Sequence, residues 1–224
     1  MEKIEKLRST LENIASNHAP ACLACSFGLE DMVLIDMISR HDIAISIFTL
    51  DTGRLHDETY RLMQQVKDRY GLDMAVYFPG ADAVEAYAGK YGPNAFYDSV
   101  ELRKSCCHIR KVEPLKRALE GKGAWITGMR RQQSPTRTDL LEGEYDEENR
   151  LYKYNPLLEW SEVETWNYVR MQNVPYNELH DRGFPSIGCS PCTRAISQGE
   201  DIRAGRWWWE DTSSRECGLH RKKA

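Results

Sequence analysis

The chain has 224 residues, 41% of them hydrophobic and 29% charged, with a formal net charge of −4. That length suits one α/β domain with an appended C-terminal segment and is enough to bury a full core. The acidic balance argues against a protein that grips nucleic acid by bulk electrostatics, but leaves room for a local basic site for a small anion.

Residues 2–15 carry apolar side chains at helical spacing (Ile4, Leu7, Leu11, Ile14). Ala21 to Phe27 is a short apolar run ending at Gly28, as expected of a buried strand entering a turn. Ser26-Phe-Gly-Leu-Glu-Asp31 then leads into a helix predicted up to Arg40. Backbone N–H groups at such a helix start can hold a phosphate, although one glycine alone equally fits a plain turn. A second strand is predicted at Ile43–Phe48, closed by Leu50-Asp-Thr-Gly-Arg54, and a helix over Asp57–Tyr70. Asp73–Phe78 and Ala124–Thr127 read as further strands. Strands alternating with helices predict a mostly parallel sheet with helices on both faces, whose ligands bind at the strands' carboxyl ends. The acidic stretch Glu142–Asn149 reads as a solvated loop or hairpin tip, and Ser161-Glu-Val-Glu164 as a capping box opening a helix towards Gln172.

No stretch has the apolar length of a signal peptide or a membrane span, so the expected setting is the cytoplasm, without membrane or nucleic-acid partners. Structural disulfides seldom persist there, and seven cysteines is an odd number, so clustered cysteines point to metal or catalysis. Cys189-Ser-Pro-Cys192 has the two-residue spacing that lets thiolates converge, and Cys106-Cys107 brings the number to four. An adjacent pair is awkward around a compact tetrahedral zinc ion, whereas a 4Fe–4S cluster is broader and accepts divergent neighbours. The flanking cations, Lys111 among them, suit the net negative charge of such a cluster. The competing reading is four ordinary buried thiols. Cys22 and Cys25 fall in a strand that points them to opposite faces, and read as core.

Arg130, Arg131 and Arg137 follow the fourth strand, and Arg203 and Arg206 would share a face if helical. Each cluster alone could be a solvated face; jointly they offer planar, always charged donors for phosphate or sulfate oxygens. Cys217, beside Gly218 in a polar terminal stretch with His220 close by, is a candidate nucleophile or an incidental surface cysteine.

Taken together, Ser26–Leu34, Leu50–Leu55, Cys106-Cys107 with Lys111, Gly128–Ser134, Cys189–Cys192 and Glu216-Cys-Gly-Leu-His220 resemble the assimilatory adenylyl-sulfate (adenosine 5′-phosphosulfate) reductases, over nearly the whole chain. The resemblance implies a pyrophosphatase-type nucleotide-binding fold in residues 1–205 and a C-terminal catalytic tail in 206–224. It implies a 4Fe–4S cluster on Cys106, Cys107, Cys189 and Cys192, and Cys217 as the nucleophile. Lys111, Arg203 and Arg206 would hold the phosphosulfate, helped by Arg130, Arg131 and Arg137. Ser26, Gly28 and the Leu50–Arg54 loop, with Thr52 and Gly53, would place the adenylate. Leu29 stands where the family often carries alanine. The implied reaction is reduction of adenosine 5′-phosphosulfate to sulfite and AMP through an S-sulfocysteine, with thioredoxin or glutaredoxin as the thiol donor and a homo-oligomer left open. Reduction of 3′-phosphoadenylyl sulfate is the nearest alternative. A non-catalytic four-cysteine metal-binding module or iron–sulfur sensor is the alternative of another class.

Overall fold

The apolar runs between turn residues become the sheet. In the computed structural model, which describes residues 2–133 and 139–211, the strands are β1 (Ala21–Cys25), β2 (Ile45–Leu50), β3 (Met74–Tyr77), β4 (Ala124–Ile126), β5 (Gly143–Asp146) and β6 (Leu151–Tyr154). Their order is β3-β2-β1-β4-β6-β5, all parallel except β5, which pairs antiparallel with β6. The predicted parallel sheet is therefore present. The acidic stretch is more ordered than a tip: its first half is β5, and the hairpin turn follows at 147–150.

The helices are α1 (Glu2–Asn17), α2 (Leu29–Arg40), α3 (Asp57–Tyr70), α4 (Ala81–Tyr91), α5 (Val100–Cys107), α6 (Glu113–Leu119) and α7 (Glu162–Met171). They lie on both faces because the β1 side chains alternate. Ala21, Leu23 and Cys25 join a core with α1, α2, α3 and α7, while Cys22 joins Phe48, Trp125, Leu151 and the α6 residues Leu115 and Leu119. The two cysteines thus face opposite layers, as the alternation requires. Burying each Leu such as Leu11 or Leu23 contributes about 1.5–3 kcal/mol. Asp36, fully buried on α2, accepts from Arg40 Nε at 2.7 Å and from the hydroxyls of Tyr70 and Tyr168 at 2.8 Å, which pins α3 and α7 to α2.

Local chemistry fixes the helix ends. Gly71, at φ 63°, closes α3 in the left-handed conformation that glycine tolerates. Ser161 and Glu164 form both halves of the capping box that starts α7. Between α5 and α6 the chain makes one π-helical turn, His108–Val112. Such a turn shifts side chains off the regular α spacing and is frequent at functional sites.

The division expected after residue 205 cuts through packed structure. Arg206 pairs with Thr193 in an isolated bridge, Trp207 N–H donates to Cys192 O at 3.2 Å, and Trp207 is 1% exposed. Glu210 forms a buried two-point ion pair with Arg103 at 2.7 and 2.6 Å. The body therefore extends at least through Glu210.

Candidate active site

The sheet's order reverses around β1, which has β2 on one side and β4 on the other. In open α/β sheets ligands bind beyond the strands' carboxyl ends at such a reversal. A cavity of about 580 Å³ opens there, lined among others by Ser26, Gly28, Leu50, Thr52 and Thr127. The turn from β1 to α2 places buried Phe27 at φ 60°, a strained conformation that costs a bulky residue about 1–3 kcal/mol. Asp31 holds the turn by accepting from both Ser26 N–H and Ser26 Oγ at 2.7 Å. Burial pushes the Asp31 carboxyl up to about 6, against the pull of those hydrogen bonds. Gly128, at the end of β4, lies directly against this turn: a Cβ there would sit 2.4 Å from Asp31 Oδ1. Both lips of the crevice are therefore closely packed.

Among the described residues, four cations line the cavity: Lys111, Arg130, Arg203 and Arg206. Arg206 is buried and donates through Nη1 to Ile187 O at 3.3 Å and Ser186 Oγ at 3.4 Å, while its Nε has no partner among the described residues. Gly188 makes room for it, since a Cβ there would come within 2.3 Å of Nη2. Arg203 and Arg206 reach the cavity from a turn and a bridge rather than from one helical face, so the helical premise is corrected. Arg130 is tied to Glu30 at 2.7 Å. Arg131 lies off the cavity and pairs with Glu159 at 2.7 Å, because a short helical turn at Arg131–Gln133 rotates it away from Arg130.

The four cysteines Cys106, Cys107, Cys189 and Cys192 line a second, smaller pocket. All are free thiols, and the pocket's cations are Arg54, Arg103, Arg110 and Lys111. Lys111 and Cys189 line both cavities, so the two share a wall. Arg54 belongs to this side: it stacks over Phe96 at 5.0 Å and donates to Asn94 at 3.3 Å, off the larger cavity. Gly53 is likewise absent from the larger cavity's lining; its φ of 67° lets the loop turn, with its N–H on Asp51 Oδ1 at 2.8 Å. Thr52 Oγ1 lies 3.3 Å from Cys189 Sγ. Burial pushes Cys192 up to about 12, reinforced by the Cys189 thiol, and raises Cys106 against the pull of Arg110. Buried thiols of this kind stay protonated unless a metal replaces the proton.

Sequence reasoning counted Arg103 and Arg110 only among the cations that flank the cysteine pair. Arg110 donates to Thr52 O at 2.6 Å and to Cys106, and Arg103 bonds Cys107 as well as Glu210. Their signal was the four-residue spacing from Cys107 and Cys106 respectively. Arg137, Cys217 and His220 lie outside the described residues. Among the described residues no three His, Cys, Asp or Glu side chains converge on a point for a single metal ion, and no helix is long and apolar enough to cross a membrane.

Fold and site define an α/β protein with a cation-lined crevice joined to a four-thiol pocket. Residues 20–195 match the family described as the phosphoadenosine phosphosulfate reductase domain, and the chain belongs to that family. It is 54% identical over 218 residues to adenosine 5′-phosphosulfate reductase of Burkholderia cepacia, covering 97% of this chain and 87% of that one. To the protein of the same name from Allochromatium vinosum it is 55% identical over 200 residues, covering 89% and 78%. Among solved structures, a phosphoadenylyl-sulfate reductase from Candida auris in a phosphate complex matches with TM-score 0.70 at 28% identity, covering 88% of this chain and 97% of that chain. Candida glabrata FMN adenylyltransferase shares the fold at TM-score 0.60 and 16% identity, over 96% and 73%.

Proposed function

We propose that this protein reduces adenosine 5′-phosphosulfate to sulfite and AMP in sulfate assimilation, the reaction for which its bacterial relatives are named. The observation that carries the reading is the shared wall: Lys111 and Cys189 border both the crevice and the four-thiol pocket. Ser26, Gly28, Leu50 and Thr52 hold the adenylate in the crevice, and Lys111, Arg203 and Arg206 hold the phosphosulfate. The unpartnered Nε of Arg206 is a buried donor awaiting an anion.

The Cys217 thiolate attacks the sulfonyl sulfur, forming an S–S bond as the S–O bond to phosphate breaks, and AMP leaves with the electron pair. The cations stabilise the charge that grows on the phosphate. A thiolate of an external dithiol, thioredoxin or glutaredoxin, then attacks the Cys217 sulfur and sulfite leaves with the electron pair. The donor's second thiol resolves the mixed disulfide, so the donor supplies both electrons. His220 stands three residues from Cys217, where it can accept the thiol proton or orient the group.

The pocket fits a 4Fe–4S cluster on Cys106, Cys107, Cys189 and Cys192. Its cations suit an anionic group, and the indole N–H of Trp207, packed among these cysteines, is buried without an acceptor among the described residues. Bound there, the cluster supplies a fixed charge centre beside the crevice. The proposed compartment is the cytoplasm, and a homo-oligomer is compatible with the reading.

The decisive experiment uses holoprotein purified without air. Cys217→Ser is expected to lose sulfite release by about 10³-fold or more while keeping its iron and sulfide. Wild-type-like release in that variant would overturn the mechanism. A colourless protein with stoichiometric zinc would overturn the cluster.

A further inference from the structure

A carboxylate that steadies a buried arginine also cancels the charge the arginine could offer to a ligand. Arg130, 3% exposed, is held in that way, with its Nε on Glu30 at 2.7 Å. Arg206, 7% exposed, is held differently. It forms no ion pair among the described residues, and its Nη1 reaches only the neutral oxygens of Ile187 and Ser186, at 3.3 and 3.4 Å. What lies against it is the ring of Trp207, whose centroid is 4.6 Å from the guanidinium carbon. Gly188 closes on it as well, since an added Cβ would come within 2.6 Å of Cζ. An aromatic face attracts a cation without neutralising it. Trp207 takes a strained backbone to present that face: its φ is 42°, a left-handed conformation costly for a bulky side chain, and its N–H is fixed on Cys192 O at 3.2 Å. The same ring lies 4.8 Å from Arg103, but the Arg103 guanidinium is taken up by Glu210 at 2.7 and 2.6 Å. Of the two guanidinium groups over the ring, Arg206 is the one whose charge no carboxylate among the described residues cancels.

We propose that Trp207 is a positioning residue for the reaction: its π face holds the buried Arg206 guanidinium at the crevice with its charge uncancelled and its Nε left for an anionic oxygen of the substrate. The inference rests on the proposed reaction and deepens it. A donor fixed before the ligand arrives needs no reorganisation when charge develops on the phosphate, and loses little freedom on binding. An ion pair would fix Arg206 equally well, but the incoming anion would then have to displace the carboxylate. This role is distinct from that of the indole N–H in the cysteine pocket, and the two respond oppositely to fluorine on the ring. Electron withdrawal weakens the negative face that attracts a cation, whereas it makes the N–H a stronger donor.

The test replaces Trp207 alone by a series of increasingly fluorinated tryptophans, which keep the shape of the side chain, in holoprotein purified without air. Calorimetry gives the affinity for AMP, steady-state kinetics give kcat and KM for adenosine 5′-phosphosulfate, and iron analysis reports on the pocket. AMP affinity should fall stepwise along the series, by about 5–30-fold in all, the range of a desolvated cation–π contact. KM should rise in step, with iron content unchanged. In an Arg206→Ala background the same series should leave AMP affinity flat, because the ring then has no guanidinium at the crevice to hold. An affinity indifferent to fluorination overturns the inference, as does a slope that survives Arg206→Ala, or iron lost in parallel with affinity. If AMP affinity falls stepwise but no sulfite appears from any of the proteins, the proposed reaction fails and the positioning role stands. If sulfite is released while KM and AMP affinity ignore the ring, the positioning role fails and the reaction stands.

Discussion

The crevice and the cysteine pocket share a wall but are built in different ways. The crevice is open, about 580 Å³, and assembled largely from turns that directly follow strands. Each of its lips is a few contiguous residues, such as Ser26–Asp31 or Thr127–Arg130. The pocket is small and joins two segments far apart in the chain, and it is held by side chains from elsewhere: Thr52, Arg103, Arg110 and Trp207. A site made of strand ends is inherited from the sheet and tolerates local change, whereas a site made of converging side chains depends on every brace. That difference sets what mutation should do on each side.

The hardest test of the shared wall is Lys111→Ala. If Lys111 serves both sides, kcat/KM should fall about 10²–10³-fold, the usual cost of removing one charge-stabilising donor. AMP affinity and iron content should then be measured together. Loss of iron alone, with AMP affinity and turnover per iron intact, would separate the two regions. Next in size is Glu210→Gln, which acts on the pocket side only. It leaves the Arg103 charge buried without its carboxylate, at a cost of about 3 kcal/mol. Iron retention should drop with the melting temperature because Arg103 also bonds Cys107, while AMP affinity of the remaining holoprotein should hold. An unshifted melting temperature would show that the pair braces nothing.

The smallest effect belongs to the crevice side and is read from pH. Burial raises the folded Asp31 carboxyl from 3.8 to about 6, so the folded chain holds that proton more tightly than the unfolded chain. Its contribution therefore favours folding at low pH and is lost as pH rises through about 6. Asp31→Asn should match wild-type stability near pH 4 and exceed it by about 1–3 kcal/mol at pH 7. Chemical denaturation at both values checks this, and a constant offset would refute it. The ionised acid is then a stability cost carried to shape the Ser26 turn.

The same contrast governs what the sequence disclosed. Sheet and crevice were legible because period-two apolar runs and turn residues are local signals, and Asp57–Tyr70 emerged with its predicted ends. The helices α4 to α6 were not delimited; α4 buries only Tyr87, so its apolar spacing is faint. β5 hid in an acidic stretch because an edge strand of Gly143, Glu144, Tyr145 and Asp146, none of them buried, has no apolar face to declare it. Around the pocket, the four thiols could be paired by chemistry, but their braces could not. Arg103 and Arg110 look like solvated cations until tertiary contacts turn them inward. The π turn breaks the α spacing used to align Lys111 with Cys107. That Arg54 and Arg131 lie off the larger cavity was hidden for the complementary reason: charge and proximity in sequence do not fix which wall a long side chain faces.

The two halves of the pocket are also separated in time. Cys189 follows Cys107 by 82 residues. At a synthesis rate of about 5–20 residues per second, roughly 4–16 s pass between the first thiol pair and the second. For that interval Cys106 and Cys107 emerge as neighbouring thiols with no partners across the pocket. Any group that needs all four thiols can therefore be held only late in the life of the chain, after Cys189 and Cys192 have been made.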